Sequence, residues 1–467
     1  MKIKTTRRKP EEKKTVKGQQ GRKALHLNMA EEETYILITG TNSGLGFSTC
    51  CRLMDEFLVS RPDNQSLTLI FTTRSEKKSN ETLAQLKNHL RATARKLWGL
   101  EGAAKAESRI TFKPEHVDLC DLLSVRAMAR RVVAEIPKLD ILILNAGIAG
   151  FTGINWPLAF WCVLTDTIYA LTWPARYTYS NVGVMNRKQT SQPDEPPMGK
   201  IFCANVFGHY MLTHYLLSVL GKSTLKPARV IWTSSLESTR ELFSVNDMQG
   251  LKVAESYQSV KYLTDLLILT EPLSSSAPWA DKYLTPSTCS GMDTNSATYT
   301  RPKMYLSHPG ICSTSIVPLA LPLVWSMMFV SWIARLMGSP WHVIDPYSGA
   351  NATVWLSLSP KSTLDGAEAE YERLGGGKPK WGSACDRLGR QCVASTEVEG
   401  WGYAGVVGPA VLEADKLRRR KRGATDLTAE EKTAFVDAGR DCWKQMETLR
   451  LRWEDLLSRE EANNVKS

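Results

Sequence analysis

Thr39-Gly40-Thr41-Asn42-Ser43-Gly44-Leu45-Gly46 follows the apolar run Tyr35-Ile36-Leu37-Ile38 and leads into residues 47–58, which read as helix. A strand, a glycine turn and a helix in that order form the unit that cradles a dinucleotide, with the pyrophosphate at the helix N-terminus. Gly40 suits the tight turn, Gly44 lets the backbone approach the phosphates, and Gly46 permits close packing of helix on strand. The fold expected is α/β: a doubly wound, Rossmann-type parallel sheet with helices on both faces.

Further along, Tyr257-Gln258-Ser259-Val260-Lys261 sets a phenol and an ammonium one helical turn apart, on one face. Lys261 beside Tyr257 is expected to favour the phenolate and bring its pKa down toward the range useful for proton transfer. Taken alone, this spacing is common on solvated helices. Other segments add to it. Asn145-Ala146-Gly147 closes the apolar run 139–144, Asn205 lies in Phe202-Cys203-Ala204-Asn205-Val206-Phe207-Gly208, and Val230-Ile231-Trp232-Thr233-Ser234-Ser235 is a strand ending in two hydroxyls. His308-Pro309-Gly310 follows the apolar Met304-Tyr305-Leu306. Each has a plain structural reading: Asn205 as a helix back-bond, the serines as strand-end hydroxyls, Pro309-Gly310 as a turn. Their order argues otherwise, because a parallel sheet brings these strand ends to one crevice.

In spacing and order these segments resemble the short-chain dehydrogenase/reductase family. The resemblance implies Ser235, Tyr257, Lys261 and Asn205 as the catalytic group, with Ser234 as the fallback serine and Asn205 holding a proton-relay water. It also implies cofactor contacts at Gly40, Asn42, Ser43, Gly44, Leu45 and Gly46, at Asp118 on the adenine, and at Asn145, Ala146 and Gly147. Tyr257 and Lys261 join them, with Pro309, Gly310, Ile311 and Ser313 toward the nicotinamide. Members that prefer NAD place an acidic residue after the second strand, whereas this chain reads Thr72-Thr73-Arg74-Ser75 there. A guanidinium suits a 2′-phosphate, so NADPH is expected, with Arg74 as the contact. One departure from the family is the long segment 236–256 between serine and tyrosine, expected to shape a substrate pocket.

Gly153-Ile154-Asn155-Trp156-Pro157-Leu158, the block from Tyr257 to Leu267, Trp381-Gly382-Ser383-Ala384 and Glu397-Val398-Glu399-Gly400-Trp401-Gly402 narrow the resemblance. They look like the branch of the family that reduces 3-keto sterols in fungal C-4 demethylation, over roughly 35–457. That branch implies NADPH-dependent formation of a 3β-hydroxy sterol on the way to ergosterol, at the endoplasmic reticulum membrane or lipid droplets, beside the other C-4 demethylation enzymes. Two alternatives stay open: another lipid-ketone or retinoid reductase of this fold, and an inactive scaffold of a sterol-enzyme complex.

The 467 residues are 43% hydrophobic, enough for one large α/β domain with appendages. The formal charge of +11 is concentrated in residues 1–28, whose ten Lys/Arg and two Glu make a local +8. This reads as a disordered basic arm, and no nucleic-acid partner is expected. Ten cysteines without a Cys-x-x-Cys fit reduced thiols, and no metal is required. Residues 29–360 are expected to form the reductase domain, with insertions at 151–200 and 271–301, the second a mobile lid. The aromatic-rich run 154–171 and the apolar segment 316–338 stand out. The latter reads as an interfacial helix or sterol-facing flap, with a membrane anchor and a buried core helix as alternatives. Residues 361–467 read as an extension: a hinge at Gly375-Gly376-Gly377, a basic run at 416–422, and a helix opened by the capping box Thr428-Ala429-Glu430-Glu431. Trp443, Met446 and Leu449 give that helix a packing face.

Overall fold

The computed structural model describes residues 32–173, 177–286, 299–313, 321–418, 420–421 and 423–466. The basic arm at 1–28, part of the expected lid and the start of the second apolar segment lie outside them.

The chain runs β1 (Glu32–Ile38), α1 (Gly44–Ser60), β2 (Gln65–Thr73), α2 (Glu76–Ser108, broken at Gly99), β3 (Ile110–His116), α3 (Leu122–Glu135) and β4 (Ile141–Leu144). An excursion follows: β5 (Phe151–Ile154), α4 (Trp156–Thr165), α5 (Thr167–Thr172) and β6 (Thr178–Ser180). The sheet resumes with β7 (Arg229–Thr233), β8 (Lys303–His308), β9 (Lys380–Cys385) and β10 (Gln391–Thr396). Its order is β10-β9-β8-β7-β4-β1-β2-β3, parallel throughout except that β10 runs antiparallel to β9. The order reverses between β1 and β4, which opens a crevice at their carboxyl ends.

Alternation along the strands builds two cores. Ile36, Ile38, Ile141, Ile143 and Ile231 face α1, α2 and the helix Asn351–Leu358, while Leu37, Leu142, Leu144, Val230 and Trp232 face the opposite layer. That layer contains α3 and the helices Gly208–Tyr215, Ser256–Thr270 and Ala429–Lys466. Strands buried on both faces need this near-continuous apolar character.

The boundary expected at residue 360 is not a division in the fold. β9 and β10 complete the main sheet, and Phe435, Trp443, Met446, Trp453 and Leu457 of the last helix are buried in the core beneath the Ser256–Thr270 helix. The capping box forms as its sequence dictates: Glu431 N donates to Thr428 Oγ1 and Thr428 N donates to Glu431 Oε2, both at 3.1 Å. Gly375-Gly376-Gly377 is not a hinge. Gly376 N donates to Tyr371 O and Gly377 N to Ala404 O, and a Cβ on Gly376 would meet Ala404 O at 2.7 Å. Within the basic run, Arg420 pairs with Glu397 and Asp426, and Lys421 with Glu399, so these cations are spent inside the protein.

Candidate active site

Gly40 turns the chain off β1 with a φ of +69°, and a Cβ there would stand 2.7 Å from the Ala146 Cβ. Gly46, in the first turn of α1, lies against Gly40 O too closely for any side chain. The loop is therefore clamped between β1 and β4. Asn145 fastens it, donating Nδ2 to Thr39 O at 3.0 Å and Gly40 O at 3.2 Å. The first turn of α1 has no acidic residue, so its amides suit an anion. This glycine cradle fits the pyrophosphate of a dinucleotide.

Thr39 and His209 were missed in the sequence, and both brace the crevice. Thr39 Oγ1 accepts the backbone N–H of Asn145 at 2.9 Å and of Ala146 at 3.0 Å, and lies 2.9 Å from His209 Nε2. With its lone pairs engaged, the hydroxyl donates to Nε2, which puts the imidazole proton on Nδ1, 3.2 Å from Asn205 O. Burial, opposed by that bond and reinforced by Lys261, pushes His209 down to about 3, so the ring is neutral. The signal available was Thr39 directly before Gly40, and a histidine four residues after Asn205.

Asn205 lies in a π-helical turn, Cys203–Phe207, a distortion frequent at functional sites. Its Nδ2 donates to Ile148 O and Ile201 O, each at 2.8 Å, while Oδ1 is buried without a partner among the described residues. That oxygen overhangs Gly147, where a Cβ would collide with it.

Ser235, Tyr257 and Lys261 come together at the carboxyl end of β7. Ser235 Oγ accepts the Glu237 N–H at 3.1 Å and stands near enough to the Tyr257 phenol to favour its ionised form. Ser234 faces the other way, its hydroxyl donating to the buried Asp265. Lys261 Nζ lies 5.6 Å from the Tyr257 ring centroid and donates to Thr233 O at 2.8 Å. The expectation that Lys261 lowers the phenol's pKa is not met. Burial pushes the phenol up, the Glu237 carboxyl adds to this, and the Ser235 hydroxyl only partly offsets it. Burial also brings Lys261 down to about 8 and Glu237 up to about 7.

Other expected contacts are spread around the crevice. Arg74 is exposed at the end of β2, and Asp118 spends one oxygen on Cys120 N at 3.0 Å. Gly310 has a φ of +69° and is wedged between Ser383 O and Trp341 O, each 2.6 Å from a Cβ placed there. Beyond Pro309, Ile311 N donates to Trp341 O and Ser313 N to Ile344 O, and the Ile311 side chain packs against the cluster of Leu236, Trp341, Ala384 and Ala394. Over the site, Trp173 at the end of the excursion donates Nε1–H to Leu236 O at 3.1 Å, and Phe151 packs 6.0 Å from the Tyr257 ring.

The 3-keto-steroid reductase erg27 of Aspergillus fumigatus is 51% identical to this chain over 436 residues, 92% of this chain and 96% of that protein. The 3-keto-steroid reductase ERG27 of Gibberella zeae is 38% identical over 464 residues, with the same two shares covered. The chain belongs to the 3-keto-steroid reductases. A more distant member, from Schizosaccharomyces pombe, is 32% identical over 78% of this chain and 90% of its own. No family model matches the chain. Among solved structures, salutaridine reductase from Papaver somniferum is 16% identical over 70% of this chain and 96% of its own, at a TM-score of 0.39, a likeness that carries no argument.

Proposed function

We propose that this chain reduces the 3-keto group of a sterol to the 3β-hydroxyl with NADPH, in C-4 demethylation. The observation that carries it is the meeting of Ser235, Tyr257 and Lys261 at the mouth of a glycine cradle, in a chain half identical to a named 3-keto-steroid reductase. Gly40, Gly44, Gly46 and the Asn145–Gly147 turn would hold the cofactor, and Arg74 its 2′-phosphate. Bound NADPH supplies a hydride to the carbonyl carbon.

The raised pKa keeps the phenol protonated at neutral pH, so its proton is in place to be given. Tyr257 stays protonated until an alkoxide develops, then gives up its Oη proton to that oxygen. Ser235, already accepting the Glu237 N–H, has its own O–H to offer the phenolic oxygen or the ketone. The Lys261 ammonium compensates the phenolate that forms. Asn205 Oδ1, buried and without a partner among the described residues, suits a water through which the proton is replaced.

A bilayer surface belongs to the same reading. Trp156, Phe160, Trp161 and Leu164 of α4 and Trp325, Phe329, Trp332 and Leu336 of the helix Leu321–Leu336 are exposed, and α5 packs against the latter helix. No helix among the described residues is long and apolar enough to cross a membrane, and exposed aromatic faces of this kind suit interfacial seating. Seating at the endoplasmic reticulum membrane or a lipid droplet would let the sterol enter from the lipid and pass between C-4 demethylation enzymes. Purified protein with NADPH and a C-4-demethylated 3-keto sterol tests the reading. It predicts stoichiometric NADPH oxidation and a 3β-hydroxy product, and turnover of other lipid ketones alone would eliminate it.

A further inference from the structure

Behind Ser235 lies a buried charge cluster that this chemistry does not use. Lys380, the first residue of β9, is 3% exposed and donates from Nζ to Ser235 O and to Asp265 Oδ2, each at 2.7 Å. The Asp265 carboxylate, fully buried on the Ser256–Thr270 helix, also accepts the Ser234 hydroxyl and the Ser238 hydroxyl, the latter at 2.6 Å. Lys261 stands one turn before Asp265 and donates to Thr233 O. Two carbonyls of the segment that presents Ser235 thus each take an ammonium, one from the helix and one from the last parallel strand.

A buried ion pair is a poor source of stability, since desolvation consumes the Coulombic gain. This one adjoins the site. Lys261 faces Tyr257 and Asp265 on its own helix, Lys380 from β9 and the neutral His209 from the helix Gly208–Tyr215, while Glu237 and Cys312 flank the phenol and Glu399 acts on Lys380. Asp265 favours the protonated Lys261 and Lys380 opposes it.

We propose that Lys380 and Asp265 are positioning residues of the reductase site: together they fix the Ser235 carbonyl, and they act with opposite sign on the charge of Lys261. The inference rests on the proton-donor reading of Tyr257 above. In that reading Lys261 must be protonated, so kcat falls as pH rises through its pKa. Asp265→Asn should move this alkaline limb to lower pH by on the order of one unit, and Lys380→Met should move it up by a similar amount. The double variant should return close to the wild-type limb. Melting temperatures measured alongside report any purely structural effect, which has no reason to shift the two limbs in opposite senses. If Lys380→Met fails to fold, Asp265→Asn and the double variant still decide the matter. Limbs that stay in place, or move the same way, in an otherwise active enzyme overturn the inference. A wild-type protein inactive on 3-keto sterols overturns the underlying reading instead, and the inference with it.

Discussion

Replacing Gly147 with alanine should disturb the site through one contact, that with the Asn205 carboxamide. The backbone there is not in the left-handed region, so the effect comes from contact alone. The new Cβ would collide with Asn205 Oδ1 and rotate the carboxamide away from Ile148 O and Ile201 O, which Nδ2 holds at 2.8 Å each. Each buried bond lost with its partner left unmet costs ~1–3 kcal/mol, so losing the two should cost about 2–6 kcal/mol. Against a total of ~5–15 kcal/mol this is severe, yet the protein should still fold. Because a shift of ~1 Å in a positioned group can cost ~100-fold in rate, kcat should fall by a comparable factor. Urea denaturation of Gly147→Ala, Asn205→Ala and the double variant is the assay, read as a double-mutant cycle. With the carboxamide gone, the alanine should cost less than ~1 kcal/mol, since the collision has been removed. An equal penalty in both backgrounds would refute the reasoning.

Three other outcomes are expected. Arg74→Asp should shift cofactor preference toward NADH, read as the ratio of kcat/KM for the two nucleotides, and an unchanged ratio would place phosphate recognition elsewhere. The rate of reduction should be highest below pH ~8 and decline above it, because Lys261, brought down to about 8 by burial, is active as the ammonium and loses its charge as pH rises. A rate that climbs through pH 8 would contradict this. Trp161→Ser with Trp325→Ser and Phe329→Ser should weaken binding to phospholipid vesicles by ~100-fold or more at unchanged melting temperature, since each buried side chain contributes ~1.5–3 kcal/mol. Undiminished vesicle binding would remove α4 and the helix Leu321–Leu336 from the membrane face.

What was legible in the sequence was whatever depends on neighbours along the chain. The glycine spacing at 40–46, the Tyr257–Lys261 turn and the Thr428–Glu431 capping box are local devices, and each forms as read. β9 was not legible as a sheet strand. Trp381-Gly382-Ser383-Ala384 has little β-branched character, and Gly382 is there because a Cβ would strike the His308 ring. Lys380 could not be recognised as buried either, because its partners Asp265 and Ser235 are 115 and 145 residues away. The phenol's pKa was misjudged for a related reason. Spacing revealed Lys261 but not the burial, to which the Glu237 carboxyl adds, that pushes the phenol up.

The central claim is that the Tyr257 hydroxyl delivers a proton to a sterol ketone. A single-turnover measurement with Tyr257→Phe, NADPH and a 3-keto sterol addresses it most directly. NADPH should bind with wild-type affinity while alcohol formation is abolished. A variant that still forms the 3β-alcohol at most of the wild-type rate would show that the proton comes from another group.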